Sequence, residues 1–288
     1  MSSTQPLSDA TIIMSGGSRG IGEAIAVRAA RDGANVALLA KTTEPHPKLP
    51  GTIHTAAAAI EEAGGHALPL VGDVRDDDFV ASAVEQTAAQ FGGIDIVVNN
   101  ASAINLSSTE DLPMKAYDLM NDINCRGAFL LSKLSIPWLR KGTNPHILTL
   151  SPPISTDPKW FGQSTGYAIA KYGMSLVTLG LSEELREDGI AANSLWPRTA
   201  IDTAAVRNVV GPGLEKHSRK ASIMADAAYE IMTKPSREVT GQFFIDDDVL
   251  EDAGVTDFSV YLNGGREDEL ALDLWAEPKG PHDPNLRL

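Results

Sequence analysis

Short runs rich in Val, Ile and Leu recur along the chain at Thr11–Met14, Asn35–Ala40, His66–Val71, Ile94–Asn99, His146–Leu150, Ile190–Leu195 and Gln242–Ile245. Each is short and apolar throughout rather than alternating, which predicts strands buried on both faces. The intervening stretches Ile21–Asp32, Thr55–Ala63, Asp76–Gln90, Lys115–Leu139, Thr165–Arg186 and Ala225–Thr233 carry apolar residues at helical spacing. Gly33, Gly64, Gly142 and Gly189 stand where helices need a C-terminal cap. Strands alternating with helices predict an α/β chain: one doubly wound domain, a central parallel sheet of about seven strands with helices on both faces.

Two segments are longer than this alternation needs. They are Lys41–Gly51, which holds three prolines, and Ala200–Ser222, around Gly211-Pro212-Gly213. Loops of that length commonly carry function. The folded unit is expected to span residues 7–270, and residues 271–288, which include the proline-rich stretch Glu277–Pro284, to form an irregular C-terminal tail.

Composition narrows the function classes. With 288 residues, 43% hydrophobic and 22% charged, the chain can bury a full core without disulfides or metals. Cys125 is the single cysteine, which excludes an intrachain disulfide and a thiolate metal cluster. Lys and Arg total 24 against 38 Asp and Glu, and the formal charge of −14 argues against nucleic-acid or anionic-membrane binding. A phosphate-bearing ligand must therefore meet local positive potential. No apolar run approaches the roughly 18 residues of a membrane span, and Met1–Ala10 lacks the basic and apolar regions of a secretory signal, so a cytoplasmic protein is expected.

The first strand runs into Ser15-Gly16-Gly17-Ser18-Arg19-Gly20-Ile21-Gly22, which opens directly into a helix. Glycines here let backbone approach a pyrophosphate, and the helix start supplies free N–H groups, so a Rossmann-type dinucleotide site is predicted. A cofactor with a free ribose 2′-hydroxyl wants a carboxylate at the end of the second strand. The chain instead has Leu38-Leu39-Ala40-Lys41, and Lys41 with Arg19 suits a 2′-phosphate, which favours NADP(H) over NAD(H). Further on, Tyr167-Ala168-Ile169-Ala170-Lys171 puts a phenol and an ammonium one helical turn apart. A cation there pulls a tyrosine pKa down from about 10, so that the hydroxyl can exchange a proton with a carbonyl or alcohol oxygen.

The glycine loop, Asp73-Val74 after the third strand, Asn99-Asn100-Ala101 after the fourth, Asn124 in the next helix, and Tyr167 with Lys171 resemble the short-chain dehydrogenase/reductase family in order and spacing, from about Leu7 to Asp248. The resemblance implies that Gly16, Gly17, Ser18, Arg19, Gly20, Ile21 and Gly22 cradle the cofactor, that Asp73 and Val74 meet its adenine, and that Asn100 and Ala101 line the adenosine side. It implies that Lys171 binds the nicotinamide ribose and tunes Tyr167, and that Asn124, through its backbone carbonyl, holds a water in a proton relay. It also implies a homodimer or homotetramer paired through the helices Lys115–Leu139 and Thr165–Arg186. The expected activity is hydride exchange with a small carbonyl or alcohol substrate. An enoyl or acyl-thioester reductase, and a non-catalytic NADP(H) sensor, are the alternatives.

The chain departs from the family pattern in three places. The substrate-polarising serine normally lies 13 residues before the tyrosine, where this chain has Ile154; Ser151 lies 16 before and Ser155 lies 12 before. Ser151 is preferred because the strand end fixes its place. Ser102 replaces a usual glycine in Asn99-Asn100-Ala101-Ser102, and Pro197-Arg198 replaces Pro-Gly. Trp160, Phe161 and Trp196 are candidates for an apolar pocket wall. Cys125 reads as a small buried hydrophobe, and Asp246-Asp247-Asp248 as solvated charge at a strand end rather than a metal site.

Overall fold

A computed structural model describes residues 7–45, 50–210 and 213–279. Part of the proline-containing insertion at 41–51, the pair 211–212 and the last nine residues of the expected tail lie outside the described residues.

The apolar runs form seven strands: β1 (Thr11–Ser15), β2 (Asn35–Ala40), β3 (His66–Val71), β4 (Ile96–Asn99), β5 (His146–Thr149), β6 (Ala191–Trp196) and β7 (Phe243–Ile245). They make one sheet in the order β3-β2-β1-β4-β5-β6-β7, and every neighbouring pair is parallel. Between them run α1 (Gly20–Ala30), α2 (Ile53–Ala63), α3 (Asp77–Phe91), α4 (Met114–Met120), α5 (Gly127–Leu139), α6 (Thr165–Glu184), α7 (Ala204–Val210), α8 (Ser222–Met232) and α9 (Asp246–Asp252).

Successive strand residues face opposite layers, which is why the runs are apolar throughout. Ile12, Met14, Val36 and Leu38 pack on the α1, α2 and α8 side, while Ile13, Ala37, Leu39 and Val97 face the α3, α5 and α6 side. Each fully buried Ile or Leu contributes about 1.5–3 kcal/mol. Gly64 caps α2 in the left-handed conformation with φ 103°, as expected; Gly92 does the same for α3 with φ 88°.

Three expectations need correction. The helix expected over Lys115–Leu139 is interrupted by a π-helical turn, Asn121–Arg126, between α4 and α5. Asp246, Asp247 and Asp248 are not solvated strand-end charges but the first turn of α9, with Asp246 1% and Asp247 6% exposed. A helix start favours carboxylates, and Arg198 secures them: its Nε donates to Asp247 Oδ2 at 2.7 Å and its Nη2 to Asp248 Oδ2 at 2.6 Å. Packed structure also continues past residue 270: the segment is irregular, but Ala271, Leu272, Leu274, Trp275 and Ala276 are buried, because an apolar run there folds back over the ends of β5 and β6.

The direction of winding reverses between β1 and β4. Their carboxyl ends diverge there and leave a crevice, the place where α/β sheets bind ligands.

Candidate active site

The crevice opens into a cavity of about 420 Å³. Its floor is the glycine loop. Gly16 has φ +75°, and a Cβ on it would lie 2.7 Å from Ala101 Cα. A Cβ on Gly22 would lie 2.5 Å from Asn100 Nδ2. Loop and β4 exit are therefore pressed together, and hydrogen bonds hold them: Asn100 Nδ2 donates to Gly16 O at 2.8 Å, and the Ala101 N–H donates to Ser15 Oγ at 3.1 Å. No side chain caps the start of α1, so its first N–H groups remain for a ligand. Gly16, Ser18, Gly20 and Ile21 line the cavity. Gly17, against Leu38, and Gly22, against Asn100, do not; they permit close packing. A dinucleotide's phosphates fit this cradle, because the uncapped start of α1 opens beside a lining of Gly16, Ser18, Gly20 and Ile21.

Past the end of β2 the lining turns charged. Lys41 Nζ lies 3.0 Å from Asp73 Oδ2, and Arg75 Nη2 lies 2.6 Å from the same oxygen. Arg75, followed by Lys41, holds the Asp73 carboxyl well below the usual carboxylate range. Arg19 Nη2 donates to Gly51 O at 3.0 Å, which draws the insertion against the loop. Two cations thus meet one carboxylate here and Arg19 lines the same end of the cavity, while Val74 and Ala101 supply the apolar wall.

At the opposite end, α6 delivers Tyr167 and Lys171 into the cavity, 5% and 2% exposed. Lys171 Nζ donates to Leu150 O at 2.5 Å, lies 3.3 Å from Met174 Sδ and sits 5.0 Å from the Trp196 ring. Burial lowers its pKa to about 7, opposed by the carboxyl of Asp273. Burial, reinforced by Asp273, raises the Tyr167 phenol above its ordinary value, and a hydrogen bond with the Ser102 side chain pulls the other way. The expected lowering of Tyr167 by Lys171 is therefore not what this geometry produces. Desolvation outweighs it, and the ammonium is directed to the Leu150 carbonyl.

Asn124 is fully buried in the π-helical turn. Its Oδ1 accepts the Ala103 N–H at 2.8 Å and its Nδ2 donates to Ala103 O at 3.1 Å. The extra residue in that turn moves Asn124 against the segment that follows β4, where its side chain fixes the loop carrying Ser102.

Ser151 is not brought to the cavity. Leu150 lines it, whereas the next residue along the chain turns away: Ser151 is 0% exposed, and its hydroxyl has no partner among the described residues. Ser155 does not replace it, since its Oγ accepts the Asp157 N–H at 3.2 Å in an outer turn.

Two groups at the reactive end were not expected from the sequence. One is Ser102, which the sequence marked only as a replacement for the family's usual glycine. The other is Asp273, 7% exposed and lining the cavity beside Leu274. The signal for the latter was the apolar run Leu270–Ala276 inside an otherwise charged C-terminal region. Trp196 walls the cavity as expected, but Trp160 and Phe161 lie one layer behind it, against Trp275 and Tyr172. Cys125 is half-buried and its thiol is pushed up by burial, so it is not primed as a nucleophile. No cluster among the described residues could hold a metal ion.

Known proteins resemble this chain. The family model described as short chain dehydrogenase matches residues 10–211. The chain is 58% identical over 261 residues to hydroxysteroid dehydrogenase-like protein 2 of Danio rerio, covering 91% of this chain but only 62% of that protein. A short chain dehydrogenase of Mycobacterium thermoresistibile superposes with a TM-score of 0.89 at 57% identity, over 97% of this chain and 99% of that one. A short chain dehydrogenase of Burkholderia cenocepacia J2315, solved in complex with NADP, gives a TM-score of 0.71 at 27% identity over 84% and 97% of the two chains.

Proposed function

We propose, from the premise that the chain belongs to the short-chain dehydrogenase family, that it is an NADP(H)-dependent oxidoreductase interconverting a carbonyl and a hydroxyl group. One observation carries this reading: Tyr167 and Lys171 are buried in the same cavity whose other end is the glycine loop. The cofactor would lie along that cavity, its phosphates at Gly16 to Ile21 and its adenine near Asp73 and Val74. Lys41, Arg19 and Arg75 favour a 2′-phosphate, and the Burkholderia relative was solved with NADP.

When bound, the nicotinamide supplies or accepts the hydride. Tyr167 then exchanges the proton at the substrate oxygen. Its raised pKa keeps the phenol protonated at neutral pH, the form a carbonyl reduction needs. Lys171, with a pKa near 7, exchanges a proton easily and can refill the tyrosine. The backbone carbonyl of Asn124, which the Gly127 N–H already approaches in the π-helical turn, would hold the relay water. Ile104, Trp196, Ile201 and Leu274 make the reactive end apolar, which suits a largely apolar carbonyl compound.

The test is NADPH oxidation against ketosteroids, ketones, quinones and 3-oxoacyl and enoyl thioesters. Turnover of a carbonyl substrate that falls about 10²–10⁴-fold in Tyr167→Phe, with NADPH affinity kept, is the expected result. Tight NADPH binding with no turnover would favour a sensor instead, a reading that the exclusion of Ser151 from the cavity recommends.

A further inference from the structure

Reducing a carbonyl builds negative charge on its oxygen, and a second donor beside the proton donor lowers that barrier. Neither Ser151 nor Ser155 lines this cavity, and the position 13 before Tyr167 is Ile154. Yet a polar group does enter the reactive end. The segment beyond residue 270 folds back, and Asp273 projects into the cavity alongside Tyr167 and Lys171.

We propose that Asp273, in its neutral carboxylic-acid form, is the catalytic residue that donates a hydrogen bond to the substrate oxygen in the place of the absent serine. The proposal rests on the oxidoreductase reading above. The segment is fixed at three successive residues. The Asp273 N–H donates to Arg198 O at 2.9 Å. The Leu274 carbonyl accepts Trp196 Nε1 at 2.7 Å. Trp275 lies 5.4 Å from the Tyr167 ring, and its own Nε1 donates to Trp160 O at 2.8 Å. A side chain held this way is pre-organised, so little ordering remains to be done when substrate arrives.

The surroundings decide the protonation state. The carboxyl is buried, accepts the Leu274 N–H and faces Asp246 from α9 as well as Tyr167 and Lys171 from α6; Arg198 meets Asp273 through its backbone carbonyl, which accepts the Asp273 N–H, and its guanidinium is held by Asp247 and Asp248. Burial and Asp246 hold its pKa well above the usual carboxylate range, against the pull of Lys171. Arg219 acts on Asp246. A carboxylate at this place would repel the developing oxyanion, whereas a carboxylic acid stabilises it, as a protonated Asp in an apolar site is known to do. The bookkeeping is simple. The carbonyl carbon gains hydride from the reduced nicotinamide, the oxygen gains the Tyr167 proton, and Asp273 keeps its own.

The experiment compares Asp273→Asn, isosteric and still a neutral donor, with Asp273→Ala, using NADPH and the best carbonyl substrate found. Expected are a loss in kcat/KM of about 10²–10³-fold for Asp273→Ala and within about tenfold for Asp273→Asn, with NADPH Kd unchanged in both. The infrared difference between parent and Asp273→Asn at pH 7 should show the C=O stretch of a protonated acid. Retained kcat/KM in Asp273→Ala, an equal loss in both variants, weakened NADPH binding as the whole effect, or a carboxylate band in its place would overturn the proposal. So would a Ser102→Ala enzyme that bears the entire loss. A parent that binds NADPH but turns over nothing would remove the oxidoreductase reading and this role with it, whereas turnover insensitive to Asp273 removes this role alone.

Discussion

In the NADP(H) reading proposed above, Lys41 is the single residue that sets cofactor choice. It leaves β2 at the position where a carboxylate would read a ribose hydroxyl, and Arg75 shares its contact with Asp73. A charge-assisted hydrogen bond is worth about 1.5–3 kcal/mol, so Lys41→Asp should weaken NADPH binding about tenfold to a hundredfold and gain NADH affinity, read by fluorescence titration. Equal affinity of the parent for both cofactors would sink the charge argument. At this scale much of the site was legible: the glycines, Lys41, Tyr167 and Lys171 carry their chemistry in residue type and spacing. Ser151 was not, because residue type says nothing about which side of a strand end a hydroxyl faces. Asp273 was hidden for a different reason. Its meaning comes from Tyr167 and Lys171, more than a hundred residues away in sequence.

Elements were legible where periodicity is strong. The seven strands and the six long helical stretches follow from the apolar pattern, with ends shifted by a few residues. The π-helical turn was not visible, since one extra residue per turn leaves the pattern of Lys115–Leu139 nearly intact. The helix α9 was missed because its three aspartates, read as strand-end charge, are the acidic first turn that its N-terminus favours. The close approach of β1 and β4 makes its own prediction. Gly16→Ala would push a Cβ to 2.7 Å from Ala101 Cα, a backbone atom that cannot swing aside, in a residue whose φ is +75°. The expected cost is about 1–3 kcal/mol in urea unfolding, together with weakened NADPH binding. A variant as stable as the parent, with parental affinity, would show that loop and strand are less tightly coupled than the geometry implies.

At the scale of the whole molecule, burial couples stability to pH. His146, at the start of β5, is 1% exposed with Nε2 3.0 Å from Lys234 O, and burial lowers its pKa from 6.5 to about 4. The folded state resists protonation there. His146 therefore imposes no penalty above pH 6.5, and about 3 kcal/mol of stability is lost as pH falls from 6.5 to about 4. Urea unfolding of the parent and His146→Gln should diverge by that amount between pH 7 and 4; parallel curves would refute it. Phe129 on α5 and Ile169, Leu176 and Leu179 on α6 are exposed, an apolar face suited to the homodimer or homotetramer that the family resemblance implies. Light scattering should give an oligomer for the parent and a smaller species for Leu176→Glu, and a monomeric parent would count against the assembly. No helix among the described residues is long and apolar enough to cross a membrane.

The central claim is that hydride passes between cofactor and substrate while Tyr167 handles the proton. The measurement that tests it most directly is turnover with NADPH dideuterated at C4, with the product alcohol analysed by mass spectrometry. The account predicts one deuterium on the former carbonyl carbon in the parent and labelled product formed about 10²–10⁴-fold more slowly by Tyr167→Phe. Unlabelled product from the parent, or labelled product at parental rate from the variant, would contradict it.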